Sequence, residues 1–382
     1  MSRARVAITA AAESTRIGKV PDQSELMLMA DAAHNALRSS GLTLRDIDGI
    51  AGGSWNPAGT VAAAHYLGIM PRWIDHMPVG GGAFLLHVRH AAEAIVTGHA
   101  DVVLVIHGES GRSGIGAPTV QRTPSSPAGQ FEAPYGVYAP SSIFTLGTLR
   151  LMRECGISHE QLASVAVSQR QWAIPNERAW IRKPLTVDDV LASPFIAYPY
   201  HQAECCVLTD GGGALLLTST ERARDLPGKP VYLLGSGEAS ETSMIAYMED
   251  LTSSAGFRST AKAAFAEAGL SPRDIDHLMI YDAFAFLPLM GLQDLGFVSR
   301  GEAGEFVAAG HTLPGGSLPM NTNGGGLSYT HTGMYGMFAI LEAVRQLRGE
   351  GVVQVPNVRT SFVQGIGGFF MSMASLILSN EY

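Results

Sequence analysis

The chain has 382 residues, 46% hydrophobic and 16% charged, enough for one large or two medium domains around a sizeable core. A net charge of −8 argues against a nucleic-acid binder, whose footprint is basic. The three cysteines, Cys155, Cys205 and Cys206, are odd in number and two are adjacent, so they argue against a disulfide framework and fit a reduced, cytoplasmic protein.

The opening MSRARVAITAAAEST carries two arginines and then a short apolar run, which reads as a first strand rather than a signal peptide. No stretch of about eighteen apolar residues occurs anywhere, so no membrane span is expected. From Ala32, AAHNALRSSGLTLRDIDGI predicts an alanine-rich helix closed by Gly41, then a buried strand. Gly80, Gly81 and Gly82 precede the helical pattern FLLHVRHAAEAIVTG, whose N-terminal amides can help to hold an oxyanion. This is not a dinucleotide fingerprint, because Gly-x-Gly-x-x-Gly and its following acid are missing. His87 and His90 lie on that helix. DVVLVIHG, residues 101–108, reads as a strand whose apolar run is followed by His107, an interior histidine rather than a catalyst.

Residues 111–199 are rich in Pro, Gly and Ser and only weakly periodic. They form a long excursion, with helices expected near Ser142–Cys155 and His159–Ala173, and read as a lid, a partner surface or a plain insertion. His201, Glu204 and Cys205 match no zinc spacing, and Glu204 and Asp210 read as a strand-edge and a turn acid. GGALLLTS and VYLLGSG are further strands. From Thr260, TAKAAFAEAGLSPRDIDHL repeats the unit of Ala32, with Asp274 standing 228 residues after Asp46 and Gly269 in the place of Gly41. Two halves on one plan, 1–220 and 221–382, imply duplication and a pseudo-two-fold architecture. Strands alternating with helices make the chain α/β. Near the end, LPMNTNGGGLSYTHTGMYGM places Tyr329 and Tyr335 beside His331, after glycines Gly324, Gly325 and Gly326 that let backbone approach a site closely.

The repeat, the strand–Asp-Gly-Gly-Gly–strand at Asp210 and the Asn-Gly-Gly hairpin with His331 together resemble the thiolase superfamily. MRECGISHEQLASVAV, NERAW and LTVDDVLASPFIAYPYHQAECCVLTDGGGALLL make the chain most similar to the sterol carrier protein-type thiolases and the bacterial lipid-transfer proteins. The similarity extends over nearly the whole length. It implies the thiolase fold: two duplicated halves in a five-layer αβαβα arrangement with a loop-domain insertion at about 111–200, usually as a tight dimer.

The departures bear on chemistry. The position of the thiolase nucleophilic cysteine falls on Gly81, seventeen residues before Gly98. The second thiolase cysteine falls on Gly365, in GIGGFF. The Asn-Glu-Ala-Phe or His-Asp-Ala-Phe loop reads YDAF, with Tyr281 first, and the family histidine survives as His331. Glycine cannot carry an acyl group, so thiolysis through an acyl-cysteine is excluded. A CoA-thioester site lined by tyrosine and histidine suits instead a retro-aldol cleavage of a β-hydroxyacyl-CoA, which needs an acid, a base and oxyanion donors but no covalent intermediate.

The cysteine-less members resemble steroid side-chain-cleaving aldolases, which release propionyl-CoA from a C17-hydroxylated steroid acyl-CoA and work with a small OB-fold partner containing a zinc ribbon. The resemblance implies Tyr281 and Tyr329 as the acid/base pair, without fixing which is which. His331 would orient one of them or donate to the thioester oxygen, and Tyr335 is a reserve. Gly81, Gly82, Asn321, Gly325 and Gly365 would bind the oxyanion or the substrate. It implies no metal, no cofactor beyond the CoA of the substrate, and a homodimer core that forms a heterotetramer with the partner. A non-catalytic acyl-CoA- or lipid-binding subunit, or a C–C lyase or condensing enzyme on a non-steroid acyl-CoA, remain open alternatives.

Overall fold

The structure, a computed structural model, describes residues 4–53, 59–114, 123–138 and 140–382. Its strands are β1 (Val6–Glu13), β2 (Gly49–Gly52), β3 (Trp73–His76), β4 (Val102–Glu109), β5 (Phe195–Ala197), β6 (Tyr200–His201), β7 (Gly211–Ser219), β8 (Val231–Ala239), β9 (His277–Ile280), β10 (Thr360–Gly367) and β11 (Ser372–Ser379). β5 and β6 form a separate hairpin. The other nine form one mixed sheet in the order β3-β2-β4-β7-β1-β8-β11-β10-β9.

That order repeats itself about its centre. β2 and β4 are parallel, whereas β4–β7 and β7–β1 are antiparallel. In the same way β9 and β10 are parallel, whereas β10–β11 and β11–β8 are antiparallel. The two sets meet where β1 and β8 pair antiparallel through only Ala7↔Tyr232 and Ile8↔Val231. Among the described residues β3 has no full counterpart in the second set: its place beside β9 is held by a single parallel bridge, Leu278↔Met320.

The duplicated Arg-Asp-Ile-Asp has a physical reason in each copy. The first aspartate closes a capping box on a 3-10 turn: Asp46 accepts from the Thr43 amide and hydroxyl at 2.9 and 2.8 Å, and Asp274 from those of Ser271 at 2.8 and 2.6 Å. The second aspartate ties the start of the neighbouring parallel strand. Asp48 accepts from the Asp101 and Val102 amides at 2.9 Å, and Asp276 from those of Arg359 and Thr360 at 2.9 and 3.0 Å. The helix end differs between copies. Gly269 is the left-handed C-cap of Ala255–Ala268, but the first helix stops at the Ser39 cap, with the Ser40 hydroxyl donating to Leu37 O. Gly41, expected as that cap, makes the next turn instead, at φ +72°.

Helix Glu25–Arg38 packs on β1, β4 and β7, and helix Ala255–Ala268 on β8 and β11. They lie so close that a Cβ on Gly108 or Gly212 would reach Glu25 O or Leu28 O at 2.5 and 2.7 Å. Helices Ala83–Val96 and Gly336–Arg348 touch each other and strands of both halves. Outer helix, half-sheet, two inner helices, half-sheet and outer helix make the five layers. The excursion forms the expected helices at Pro140–Cys155 and His159–Ala173. Phe144 of the first packs on Phe284 and Phe286, so the excursion covers the second half beside Tyr281. Residues 115–122 and 139 of the excursion lie outside the described residues. Among the described residues no helix is long and apolar enough to cross a membrane.

Candidate active site

Four segments converge at the N-terminal ends of the inner helices. Tyr281 leaves the end of β9, and its amide donates to Gln364 O of β10. The Asn321 side chain takes the place of the missing neighbour strand. Its Oδ1 accepts from the Ile280 amide and its Nδ2 donates to Ile280 O, both at 2.9 Å. This expected oxyanion donor is therefore occupied in holding β9, at a φ of +53°.

His331 faces Tyr281 with Nε2 3.1 Å from the phenol oxygen. The Gly333 amide donates to His331 Nδ1 at 3.2 Å, so the ring hydrogen sits on Nε2 and points at Tyr281. Burial lowers the His331 pKa to about 4, which keeps the imidazole neutral. The Tyr335 amide also donates to the Tyr281 oxygen, at 3.2 Å. Tyr281 Oη thus accepts two hydrogen bonds and keeps its own hydrogen for a substrate. Burial raises its pKa, and the Tyr335 amide opposes that shift.

Below this oxygen lies Gly81. A Cβ there would overlap the Tyr281 hydroxyl. The phenol occupies the volume that a side chain at 81 would fill, at the N-terminus of Ala83–Val96. A Cβ on Gly336, which opens the other inner helix, would in turn strike Gly81 O. Two helix N-termini therefore meet at one phenol oxygen, a position that favours developing negative charge. Gly365 lies alongside, with its Cβ site 3.2 Å from Gly82 Cα and 2.7 Å from Leu85 Cδ1.

The glycine hairpin is held by Asp282. Its Oδ1 accepts from the Gly326 amide at 2.7 Å and its Oδ2 from Leu327 at 3.2 Å, while a Cβ on Gly325 would collide with Oδ2. Gly325–Tyr329 winds as a π-turn around this carboxylate. Burial raises the Asp282 pKa to about 7 against those two amides.

The structure does not bring the Tyr329 hydroxyl to Tyr281. It donates to both Glu13 oxygens at 2.7 Å. Glu13 is paired with Arg178 and Arg345, each at 2.9 Å. The Tyr335 hydroxyl donates to Asn323 Oδ1 at 2.9 Å and so is turned from the site, while the Tyr335 ring packs edge-on to Tyr281 with centroids 5.8 Å apart. His107 hydrogen-bonds Thr332 Oγ1 at 2.7 Å and packs edge-on to Phe84, as an interior histidine. His87 and His90 share Asp75 at 2.8 and 3.0 Å.

Burial raises the thiol pKa of Cys155, Cys205 and Cys206, that of Cys205 to about 12, so none is poised as a thiolate. His201 and Glu204 form a capping turn, with the His201 amide donating to Glu204 Oε2 at 2.6 Å. No group of three His, Cys, Asp or Glu among the described residues is arranged to hold a metal.

Glu109, Asp282 and Glu13 are the charged neighbours of these residues that sequence reasoning passed over. Asp282 stood in the YDAF motif beside Tyr281. Glu109 ends a strand on the face of His107, a usual place for site residues in α/β sheets.

A family model described as thiolase C-terminal domain-like matches residues 237–380. The chain is 34% identical over 362 residues to the steroid side-chain-cleaving aldolase of Thermomonospora curvata, covering 92% of both chains. It is 34% identical over 357 residues to the 17-hydroxy-3-oxo-4-pregnene-20-carboxyl-CoA lyase of Mycobacterium tuberculosis, covering 90% of this chain and 92% of that one. The solved structure of an Ltp2-ChsH2(DUF35) aldolase superposes with a TM-score of 0.91 at 34% identity, over 98% of this chain and 97% of that one. The chain belongs to the thiolase superfamily, in the family of the steroid side-chain-cleaving aldolases.

Proposed function

We propose that this chain is a carbon–carbon lyase that cleaves a β-hydroxyacyl-CoA by a retro-aldol reaction. Its substrate is a 17-hydroxy steroid C22 acyl-CoA, and its products are a 17-ketosteroid and propionyl-CoA. One observation carries the reading: the Tyr281 phenol stands over Gly81, where a thiolase holds its sulfur, with two donors on its oxygen and its own hydrogen free.

The β-hydroxyl proton goes to a base, and the O–H electron pair left on oxygen forms the π bond of the ketone. The Cα–Cβ bond breaks, and its electron pair moves onto Cα and the thioester oxygen. The Tyr281 proton moves to Cα. The resulting phenolate is held by His331 Nε2–H, the Tyr335 amide and the two helix ends. Tyr281 is the acid, and His331 holds it in place. Gly81 and Gly82 leave room for the thioester, and the Gly325 turn and Gly365 shape the wall. Tyr329 acts through Glu13 as a positioning residue for the segment that carries His331.

In this reading the chain works as a dimer with a small OB-fold, zinc-ribbon partner, in the cytoplasm, and needs no cofactor besides the CoA of its substrate. The 34% identity to two enzymes named as an aldolase and a CoA lyase supports it. The test is co-expression with such a partner and mass-spectrometric detection of the ketosteroid and propionyl-CoA from 17-hydroxy-3-oxo-4-pregnene-20-carboxyl-CoA. Tight binding of that thioester without products would favour the non-catalytic subunit. Products from a non-steroid β-hydroxyacyl-CoA alone would move the substrate class.

A further inference from the structure

We propose that Glu109 is the base of this site, the group that takes the β-hydroxyl proton while Tyr281 supplies the proton to Cα. The assignment rests on the retro-aldol reading above, which leaves the base unnamed once Tyr329 is bound to Glu13.

Glu109 ends β4 and lies two residues beyond His107, on the same face of the strand. His107 bonds Thr332, and the Glu109 carboxyl abuts the next residue: a Cβ on Gly333 would stand 2.5 Å from Glu109 Oε2. Gly333 is the residue whose amide fixes the His331 tautomer. Glu109 therefore leans on the same short turn that aims His331 at Tyr281.

Among the described residues its Oε1 is buried with no hydrogen-bond partner, and the residue is 6% exposed. A buried carboxyl oxygen left without a donor is costly, and a substrate hydroxyl is the donor it lacks. The hydroxyls of the other two tyrosines and the Asp282 carboxylate are committed. The Tyr329 and Tyr335 hydroxyls donate to Glu13 and Asn323, and Asp282 holds two amides.

The titratable groups around Glu109 are Glu25 from the outer helix, His107 on its own strand, and His331 and Tyr281. β7 offers only Gly211 opposite. Burial, with Glu25, raises the Glu109 pKa to about 8, close to where a general base is effective. The neighbouring histidines lie far lower, at about 3 and 4. Negative charge on Glu109 also raises the pKa of Tyr281. The pair therefore favours a single negative charge. It starts on Glu109 and ends on Tyr281. Return of the proton from Glu109 to Tyr281 closes the cycle with no net proton taken up or released.

The experiment compares wild type, Glu109→Gln and Tyr281→Phe in two reactions. One is cleavage of 17-hydroxy-3-oxo-4-pregnene-20-carboxyl-CoA. The other is exchange of the C2 hydrogen of propionyl-CoA in deuterium oxide, which needs only the Tyr281 half of the site. The expected result for Glu109→Gln is a fall in kcat of about a hundredfold or more, loss of the acid limb near pH 8, and retained exchange. Tyr281→Phe loses both reactions. Glu109→Gln cleaving within about fivefold of wild type, or losing cleavage and exchange equally, overturns the assignment while leaving the retro-aldol reading in place. A wild-type chain that neither cleaves nor exchanges overturns that reading, and this role with it.

Discussion

Gly81 and Tyr281 are one substitution written at two positions. The phenol fits only because no Cβ stands beneath it. Gly81→Cys is therefore not expected to restore thiolase chemistry; it pushes the phenol away, abolishes cleavage and lowers Tm. Adding Tyr281→Asn to Gly81→Cys relieves the clash, so the pair is non-additive by about 1–3 kcal/mol in a double-mutant cycle read by urea melts. Additive losses would refute the shared volume. Tyr281→Phe keeps the packing and removes only the proton, so kcat falls about a hundredfold or more with Tm within a few degrees.

Glu109 has the opposite balance. Its raised pKa means that the unfolded chain ionises from about pH 4.5 while the folded chain stays protonated to about pH 8, so its contribution to stability falls by about 1.4 kcal/mol per pH unit in that window. Glu109→Gln should raise Tm at pH 8 and leave it unchanged at pH 4, as scanning calorimetry would show. Glu13 is the reverse case. Burial works against its ionised form, but Arg345 and Arg178 overcome it and lower the pKa, so its contribution is present above pH 4.5 and fades below it. Glu13→Gln leaves two guanidiniums facing an uncharged side chain and costs about 3 kcal/mol at pH 7 by urea melt.

Among short segments, the turn Gly325–Tyr329 explains which residues could be read in advance. That Tyr281, His331 and Gly81 come together was legible, because each stands at a fixed offset in a motif. The direction of Tyr329 was not: a π-turn wound round Asp282 points that side chain at Glu13, 316 residues away in the chain. Glu109 was invisible for another reason. A glutamate at the end of a strand reads as a surface acid until the turn that covers it is in place. Asp282→Asn should unwind the hairpin, lowering kcat for cleavage far more than it changes KM. The repeated Arg-Asp-Ile-Asp was legible as a repeat, but its work was not. Asp276→Ala removes the acceptor for two amides at the start of β10 and should cost about 1–3 kcal/mol in a urea melt, with a matching loss for Asp48→Ala.

The duplicated halves touch through a two-pair ladder in the sheet but share their inner helices completely. Ala83–Val96 rests on β10 and β11, and Gly336–Arg348 on β1 and β7. Neither half has a closed core without the other, although the alternation of strands and helices made the α/β class readable from the start. Residues 231–382 expressed alone should lack fixed tertiary structure by near-ultraviolet circular dichroism, and the full chain should melt in one transition.

The meeting of the two inner helix ends has a consequence for ancestry. Duplication about a two-fold brings two positive poles to one point before any particular side chain is chosen. Whatever atom stands there, sulfur or phenol oxygen, meets the same electrostatic welcome. A lineage could thus exchange one reactive atom for another and keep the hole that steadies it, so that the scaffold outlives the chemistry it first served.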